Sequence, residues 1–464
     1  MKKISLQIFA FFCAAVIAGC THGKTEPEPV PPTHNYLVQV TEERHVTDDQ
    51  IIQMIEDEFD NLPEKIKIGG LELNTKDLLR AEIPDVTVAK LLYRTPDHDG
   101  KIVNASGVVV YPTGIEEYDH IVSVQHGTCQ ICDPPSGDFF PVECATVVIG
   151  DVVCLADYLG YGATQNDSLY HPYIHHQLTA TTCADMFYAA EEYLADKEFR
   201  KEIKKTGDDI RLFGYSQGGT ATVSTLMEME KRGLGPRIKD VRAGGGPFNL
   251  ETFFNKYSES DTTYYSEPAY IIMLARGLFY GDNLLDSIDW HNILAPGMFQ
   301  SEGTFKEGTP YEKKWKWDDG LSAYDHLADW HIKTMNKKMD TLCGKVMSGI
   351  FHPDGFDHVN KTPENHFGGN EDWYTFYSEV VKHSLVNMEA PKTPVKVYHC
   401  VVDPKVPREC GLQGAEWLHT TVRDLNSTNH RNGAVHFMLE YANDHDVGPF
   451  YGFISWKDLE QFVD

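Results

Sequence analysis

The feature that most constrains the fold is the segment Gly214-Tyr215-Ser216-Gln217-Gly218-Gly219, which contains the pattern Gly-x-Ser-x-Gly. Residues 209–213 before it alternate apolar and polar side chains, as a short strand does, and residues 217–232 after it have helical spacing of apolar side chains. A strand that turns sharply into a helix leaves no room for side chains beside the turn, which explains the glycines. We therefore expect Ser216 to present its hydroxyl as a nucleophile at the end of a strand.

Strand and helix patterns alternate along most of the chain. Strands are predicted at residues 86–93, 102–111, 120–125, 146–156, 394–400 and 434–441 and before Gly244, and helices at residues 47–62, 177–194, 412–425 and 450–462. This alternation predicts an α/β fold with a mainly parallel sheet and helices on both faces. Residues 250–390 interrupt the alternation and are rich in Tyr, Trp and Phe, so we expect them to form a helical, aromatic lid over the sheet.

The first residues indicate export from a bacterial cell. Lys2 and Lys3 precede an apolar run, and Ile17-Ala18-Gly19-Cys20 has the lipobox pattern. We expect a signal peptide at 1–19, lipid attached to Cys20, a flexible Pro- and Glu-rich tether over 20–46 and one domain over 47–464. The expected location is the cell envelope, periplasmic or surface-exposed, with the membrane bound only through the lipid anchor. An ordinary secretory signal with an incidental Cys20 is the alternative.

Charge and cysteine content narrow the partners and the redox state. The formal net charge of −28 argues against a nucleic-acid partner and against a strongly anionic substrate. In an exported protein, the eight cysteines after Cys20 predict disulfides rather than thiols. Cys400 and Cys410 flank Asp403, and a bridge between them would brace that loop. The alternative for the Cys-x-x-Cys pair at 129–132, a redox or zinc motif, lacks a second such pair.

A serine nucleophile needs a base, and the base needs a carboxylate that orients it. Asp403 follows the predicted strand 394–400, so it lies where catalytic groups gather in a parallel sheet. The base is expected after the next strand, predicted at 434–441, which favours His445 over His436 inside that strand. His399, His419 and His430 do not fit this order. Asp157 and Asp185 precede Ser216 and are expected to be structural.

Backbone N–H groups must also stabilise the oxyanion that forms during acyl transfer. One is expected from Gln217, the residue after the nucleophile. The second is expected from Thr128, in the turn His126-Gly127-Thr128 after the strand 120–125. We expect no metal, because the adjacent His175 and His176 cannot easily face one ion on a regular element and no acidic residue has the spacing of a partner ligand.

The chain resembles bacterial secreted lipases and esterases of the α/β-hydrolase superfamily and is similar to the secretory lipase family. The segments that carry the resemblance are His126-Gly127-Thr128, Ala156-Asp157-Tyr158-Leu159-Gly160-Tyr161-Gly162, His171-Pro172-Tyr173, Gly214 to Gly219, Gly244-Gly245-Gly246-Pro247-Phe248, and Asp403 with Val406-Pro407. The resemblance implies an α/β-hydrolase fold, a lid domain between the sixth and seventh strands, and hydrolysis of carboxylic esters without a metal or other cofactor.

The expected function is therefore hydrolysis of a small-molecule or glycan-borne ester through an acyl-enzyme on Ser216, with Asp403 and His445 completing the triad. Lid aromatics are expected to line the pocket and to set acyl preference, although most should form the core of the insertion itself. The alternatives are a peptidase of the prolyl-oligopeptidase type, a polysaccharide deacylase and a non-catalytic binding lipoprotein.

Overall fold

A computed structural model describes the chain from residue 35 onward. Within that part the described ranges exclude residues 59–64, 69–70, 75–82, 129–143, 145, 148–149, 166–168, 197–202, 261–262, 306–312, 317–319, 323, 326–346, 357–368, 426–429, 431–432, 435–436 and 438–464. The strands are β1 (Leu37–Val46), β2 (Lys65–Ile68), β3 (Leu71–Asn74), β4 (Val86–Pro96), β5 (Ile102–Pro112), β6 (Glu117–Gln125), β7 (Val152–Ala156), β8 (Lys204–Tyr215), β9 (Ile238–Gly244), β10 (Glu302–Phe305), β11 (Lys313–Lys316), β12 (Lys396–Cys400) and β13 (Val422–Leu425).

Nine of these strands form one central sheet in the order β1-β4-β5-β7-β6-β8-β9-β12-β13. The strands from β7 to β13 in that order run parallel, whereas β1, β4, β5 and β7 pair antiparallel with one another. The chain changes direction across the sheet at β6, because β7 lies on one side of it and β8 on the other. Ligands of open α/β sheets bind beyond the carboxyl ends of the strands at such a point.

The helices are α1 (Asp48–Glu58), α2 (His176–Ala195), α3 (Gln217–Lys231), α4 (Leu250–Tyr257), α5 (Pro268–Gly281), α6 (Glu371–Lys382) and α7 (Arg408–Trp417). Buried side chains of α2 and α3 pack with Val109 on one face of the sheet, and Ile51 and Ile52 of α1 pack with Val108 and Val110 on the other. Successive side chains of β5 therefore point into the hydrophobic cores on opposite faces of the sheet, as the two-residue period of a strand requires. The expected mainly parallel sheet with helices on both faces is confirmed.

The segment between β9 and β12 contains α4, α5 and α6 and has a hydrophobic cluster of its own. We call this segment the insertion. Its aromatic side chains are mostly buried and pack on one another: the rings of Phe254 and Phe376 meet edge to face with centroids 5.3 Å apart, and Trp373 is fully buried. The cluster also includes Tyr173 and Val406, which lie outside the insertion, so the insertion packs directly onto the carboxyl edge of the sheet.

Four local predictions differ from the structure. Residues 37–46 form the edge strand β1, where the sequence predicts part of the tether. The strand predicted over 146–156 is limited to β7, and the helix predicted over 412–425 divides into α7 and β13. The described residues 430, 433, 434 and 437 are helical, where a strand is predicted over 434–441.

Other predictions concern the two ends of the chain. Residues 1–34, with the predicted signal peptide and Cys20, and residues 450–462, with the last predicted helix, lie outside the described residues. No helix in the described ranges is long and apolar enough to cross a membrane.

Candidate active site

Ser216 lies between the end of β8 and the start of α3, as the Gly-x-Ser-x-Gly pattern predicts. Its backbone has φ 60° and ψ −123°, a conformation that residues other than glycine rarely adopt. The Ser216 amide donates to the Gly244 carbonyl on β9 at 2.8 Å, which ties the turn to the neighbouring strand. Strained backbone of this kind persists only where the surrounding structure enforces it, and it is concentrated at functional sites.

The glycines on either side of Ser216 are required by close backbone contacts. A Cβ atom at Gly218 would collide with the carbonyl oxygen of Gln125 at the end of β6, and one at Gly214 would collide with the carbonyl oxygen of Gly218. Backbone atoms at these positions cannot move aside as a flexible side chain could. The sequence pattern is therefore explained by packing at the carboxyl ends of β6 and β8.

The turn after β6 lies beside Ser216. A Cβ atom at Gly127 would be 3.9 Å from the Ser216 Cβ, an ordinary van der Waals distance, so this backbone lies directly beside the serine. The turn is held by His126, whose Nδ1 donates to the Gly127 carbonyl at 2.7 Å, and by the Tyr158 hydroxyl, which donates to the His126 carbonyl at 2.9 Å. Burial lowers the pKa of His126 to about 4, so the ring is neutral at pH 7. The Thr128 hydroxyl is 2.8 Å from that of Tyr173.

Gln217 is the first residue of α3, where backbone N–H groups have no partner within the helix. Its side-chain amide donates to Nε2 of His171 at 2.8 Å, while Nδ1 of His171 donates to the Leu159 carbonyl at 2.9 Å. Burial lowers the pKa of His171 to about 3, so Nε2 remains an acceptor at neutral pH. The structure thus brings Gln217 and the turn that contains Thr128 to the same place as Ser216, and their roles as oxyanion donors remain predictions.

Asp403 lies after β12, and its carboxylate is completely buried. Oδ1 accepts the backbone amides of Lys405 at 2.9 Å and Val406 at 3.0 Å, and Oδ2 is 2.6 Å from Nδ1 of His430. Burial alone would raise the pKa of Asp403, but the hydrogen bonds from His430 and from the Val406 amide outweigh it, and the pKa is lowered. Nε2 of His430 is buried and has no hydrogen-bond partner among the described residues.

The structure therefore pairs Asp403 with His430, a histidine that does not fit the order argued from the sequence. His445 lies outside the described residues, as does His436, and its role as the base stays a prediction. The argument for His445 rests on a strand at 434–441, but the strand that follows β12 is β13, and the first histidine after β13 is His430. The signal that could have located β13 is the β-branched run Thr420-Thr421-Val422.

A largely apolar pocket with about 390 Å³ of empty space, including the part open to solvent, contains Ser216 and Gln217. Its other lining residues are Tyr173, Ile174, Pro247, Leu250, Phe253, Tyr265, Tyr270, Leu274, Lys405 and Val406. Those from Pro247 to Leu274 belong to the insertion, which therefore forms much of the pocket wall. Ile174 has φ 59°, an outlier for a β-branched residue, so the pocket wall is itself strained.

The expected bridge between Cys400 and Cys410 is wrong. No disulfide joins Cys400 to Cys410, and both are buried, as are Cys144, Cys154 and Cys183. The Cys400 Sγ lies 3.2 Å from the Tyr215 hydroxyl, and Cys410 donates to the Asn249 carbonyl at 3.4 Å, so the two thiols serve different contacts. Cys129, Cys132 and Cys343 lie outside the described residues.

The two early aspartates have the structural roles expected for them. The Ser106 hydroxyl donates to Asp157, which is completely buried, at 2.5 Å. The guanidinium of Arg232 donates to Asp185 at 2.6 Å. Both carboxylates are thus occupied by contacts within the fold.

A separate group of ligating side chains lies away from Ser216. His175, Asp282 and His383 converge at the junction of α2 with the insertion. The expectation that no metal is bound rests on the adjacency of His175 and His176 and on the lack of a suitably spaced acidic partner in the sequence, whereas the structure places Asp282, from a distant segment, beside His175 and His383.

Comparison with known proteins identifies the fold through structure alone, since the sequence matches no family model and no curated protein. A Legionella pneumophila protein assigned as a hydrolase superposes with a TM-score of 0.62 at 18% identity, over 90% of this chain and 98% of its own. The rice cell wall degrading esterase LipA of Xanthomonas oryzae superposes with a TM-score of 0.53 at 21% identity, over 87% of this chain and 94% of its own.

A more divergent structure agrees with these two. Lipase A of Candida antarctica in its closed state gives a TM-score of 0.50 at 13% identity, over 87% of this chain and 80% of its own. The nine-stranded sheet, the strained serine turn after β8 and these similarities lead to the same conclusion. The chain has the α/β-hydrolase fold that is found in lipases and esterases.

Proposed function

We propose that this protein is a serine hydrolase of carboxylic esters. The observation that carries the proposal is the position of Ser216, on a strained turn in the wall of an apolar pocket, beside the turn that contains Gly127. A strained serine at a strand-to-helix turn is the arrangement that α/β-hydrolases use to expose a nucleophile. The similarity in fold to esterases supports the same reaction class.

In the proposed mechanism, Nε2 of the base removes the proton of the Ser216 hydroxyl, and the oxygen attacks the ester carbonyl. The backbone N–H groups of Gln217 and Thr128 stabilise the oxyanion of the tetrahedral intermediate. The base then gives its proton to the departing alcohol, which leaves an acyl-enzyme. Water, deprotonated by the same base, attacks the acyl carbon, and the proton returns to Ser216 as the acid leaves.

We assign the base to His430 and its orientation to Asp403. The 2.6 Å contact between Nδ1 and the carboxylate holds the proton on Nδ1 and leaves Nε2 as the acceptor, which is the tautomer that the mechanism needs. The order serine, acid, histidine along the chain is kept. His445 is the competing assignment. His430→Ala should lower kcat by several orders of magnitude in a folded protein, and His445→Ala should not; the reverse pattern would assign the base to His445.

The proposed substrates are esters with an apolar acyl group. Aliphatic and aromatic side chains such as Ile174, Leu250 and Phe253 form most of the pocket wall, and Lys405 is its one charged member among the described residues. Apolar walls favour hydrocarbon over a charged or strongly polar group. A polysaccharide deacylase is the second candidate, because LipA of Xanthomonas oryzae, which shares the fold, is an esterase that degrades rice cell wall.

The proposed location is the bacterial cell envelope, with the chain anchored by lipid on Cys20. Labelled palmitate should be incorporated into the wild-type protein in a bacterial host, and Cys20→Ala should lose both the label and the membrane fraction. Incorporation into Cys20→Ala would contradict the anchor.

The experiment that tests the function measures hydrolysis of p-nitrophenyl esters of increasing acyl length, with an acetylated xylan and a peptide amide in parallel. We expect turnover of the esters and none of the amide. Ser216→Ala should abolish ester turnover while the far-UV circular dichroism stays unchanged. Turnover retained by the folded Ser216→Ala variant would rule out the proposed nucleophile, and preferential release of acetate from xylan would favour the deacylase.

A further inference from the structure

Three segments that are distant in sequence bring ligating side chains together at the junction of α2 with the insertion. His175 directly precedes α2, Asp282 follows α5, and His383 follows α6. One ligand atom from each lies within 4.8 Å of the other two. Nε2 of His383 is 2.7 Å from Oδ2 of Asp282, and Nε2 of His175 is 3.5 Å from Oδ1 of the same carboxylate.

The cluster is buried, and part of its hydrogen-bonding capacity is unused. The side chains of His175 and His383 are 3% and 1% exposed, and that of Asp282 is 21% exposed. Nε2 of His175 points towards the carboxylate but makes no hydrogen bond within the described part of the chain. A buried polar atom without a partner costs stability, and a ligand at this position would remove that cost.

The surroundings of His383 suit a metal ligand. Its Nδ1 is 2.8 Å from Nδ1 of His176, so a proton on the His383 nitrogen can be donated to the His176 ring. A histidine that binds a metal through one nitrogen usually donates the other N–H in this way, which fixes the orientation of the ring. Glu379 adds a second carboxylate, with Oε2 3.4 Å from Nε2 of His383.

We propose that His175, Asp282 and His383 bind a divalent transition metal, with Zn²⁺ as the best fit, and that Glu379 is the fourth ligand. Two imidazoles and two carboxylates are a ligand set that Zn²⁺ accepts in tetrahedral geometry. Four protein ligands close the coordination shell, as in structural rather than catalytic zinc sites. The ion would join α2 to the ends of α5 and α6 and would hold the insertion against the sheet.

This proposal revises the expectation that no metal is bound, which rests on the adjacency of His175 and His176 and on the lack of acidic partner spacing in the sequence. The two rings need not face one ion, because His175 points at Asp282 while His176 supports His383. Metal binding alters several existing contacts. Nε2 of His383 gives up its proton and its 2.7 Å hydrogen bond to Oδ2 of Asp282, because a nitrogen that binds the ion cannot also donate. His175 Nδ1 gives up a long cap from the Leu178 amide at 3.3 Å, and Lys382, whose Nζ is 2.7 Å from Asp282 Oδ2, shares that carboxylate with the ion.

The competing explanation is an ion-pair cluster without metal, in which Lys382 and a protonated His383 neutralise the carboxylates. Full-length mature protein, purified without a polyhistidine tag and stripped with chelator, should be titrated with Zn²⁺ in competition with a chromophoric chelator. We expect about one equivalent to bind and the melting temperature to rise with Zn²⁺, because a ligand of the native state stabilises it. No stoichiometric binding would overturn the proposal in favour of the ion-pair cluster.

Variants locate the ion. Asp282→Asn and His383→Gln should lose the bound equivalent, and His176→Gln should weaken affinity about 10- to 100-fold, as loss of a supporting partner does. The matched control is His291→Gln, which removes an exposed histidine of the insertion that is 3.1 Å from Asp289. Equal binding by Asp282→Asn and His291→Gln would overturn the assignment.

A measurement on the wild type covers the case in which those variants do not fold. X-ray absorption of the Zn²⁺-loaded protein should show two imidazole ligands and oxygen donors. A shell with sulfur donors, or with fewer than two imidazoles, would overturn the proposed ligand set. None of these measurements requires ester hydrolysis, so the metal site and the proposed function can fail separately.

Discussion

Replacement of Asp403 by Asn should stop ester hydrolysis by reversing the tautomer of His430. The carboxylate accepts three hydrogen bonds, two on Oδ1 from the amides of Lys405 and Val406, and one on Oδ2 from His430. In the Asp403→Asn variant, the side-chain amide oxygen would keep the two backbone donors, because the opposite orientation would set an NH₂ group against both. The NH₂ group would then face Nδ1 of His430 and donate to it. The proton of the imidazole would move to Nε2, which could no longer accept the proton of Ser216.

The expected loss in kcat is about 10⁴-fold, the effect of the corresponding exchange in a serine-protease triad. At about 1.36 kcal/mol for each factor of ten, this raises the barrier by about 5.4 kcal/mol. The assay is the steady-state hydrolysis of p-nitrophenyl butyrate. Folding is checked by circular dichroism and by the melting temperature.

The matched control is Asp424→Asn, because Asp424 is a half-exposed aspartate of β13 that pairs with Arg408 and has no contact with His430 among the described residues. It should keep the kcat of the wild type. A folded Asp403→Asn variant within about tenfold of wild-type kcat, a barrier change of less than about 1.4 kcal/mol, would refute the tautomer argument. It would also remove His430 from the proposed triad.

Three further predictions concern the pocket, acid stability and the thiols. Tyr270→Ala should lower the ratio of kcat/KM for long over short acyl esters by about fourfold for each methylene that loses contact with the ring, at about 0.8 kcal/mol per methylene. Tyr264 is exposed, so Tyr264→Ala should leave this ratio unchanged. The same ratio in Tyr270→Ala and wild type would show that the insertion does not set acyl preference. Because the pKa of Asp403 is lowered, its ionised form stabilises the fold above the unfolded-state pKa of about 3.9, and this contribution is lost as the pH falls through the folded-state pKa. The difference in free energy of unfolding between wild type and Asp403→Asn should therefore shrink below about pH 4. A difference that stays constant with pH would contradict the pairing with His430. Without reductant, the buried Cys400 and Cys410 should resist alkylation in the folded protein and react fully in denaturant. Recovery of a disulfide-linked peptide containing both would be incompatible with the absence of a bridge between them.

Much of the candidate site followed from local sequence, because its chemistry depends on short-range constraints. Gly214 and Gly218 mark a turn that only small residues permit, and the strand before and the helix after Ser216 have distinct periodicities. Asp403 was found for the same reason, since it follows a continuous apolar strand. Near-continuous apolar runs likewise indicated the parallel sheet.

What the sequence could not decide depended on contacts between distant segments. The pairing of Asp403 with His430 required the position of β13, a four-residue strand whose periodicity is too short to separate from the end of a helix and whose one local signal is the β-branched run before it. β1 was missed because this edge strand buries only Leu37 and Val46, and its remaining residues, exposed or half-buried, do not alternate between apolar and polar. Cys400 and Cys410 are close in sequence, but their side chains contact different neighbours, so their spacing alone wrongly predicts a disulfide between them.

Local sequence was enough to predict the α/β class, the candidate nucleophile and the candidate acid, since each depends on a short pattern of strand, turn and helix. The histidine that faces Asp403, the lack of a bridge between Cys400 and Cys410 and the meeting of His175, Asp282 and His383 became visible in the folded chain. Packing across the sheet and against the insertion joins residues far apart in the chain, as with Asp282 and His383, which are 101 positions apart, and no local periodicity encodes such a contact.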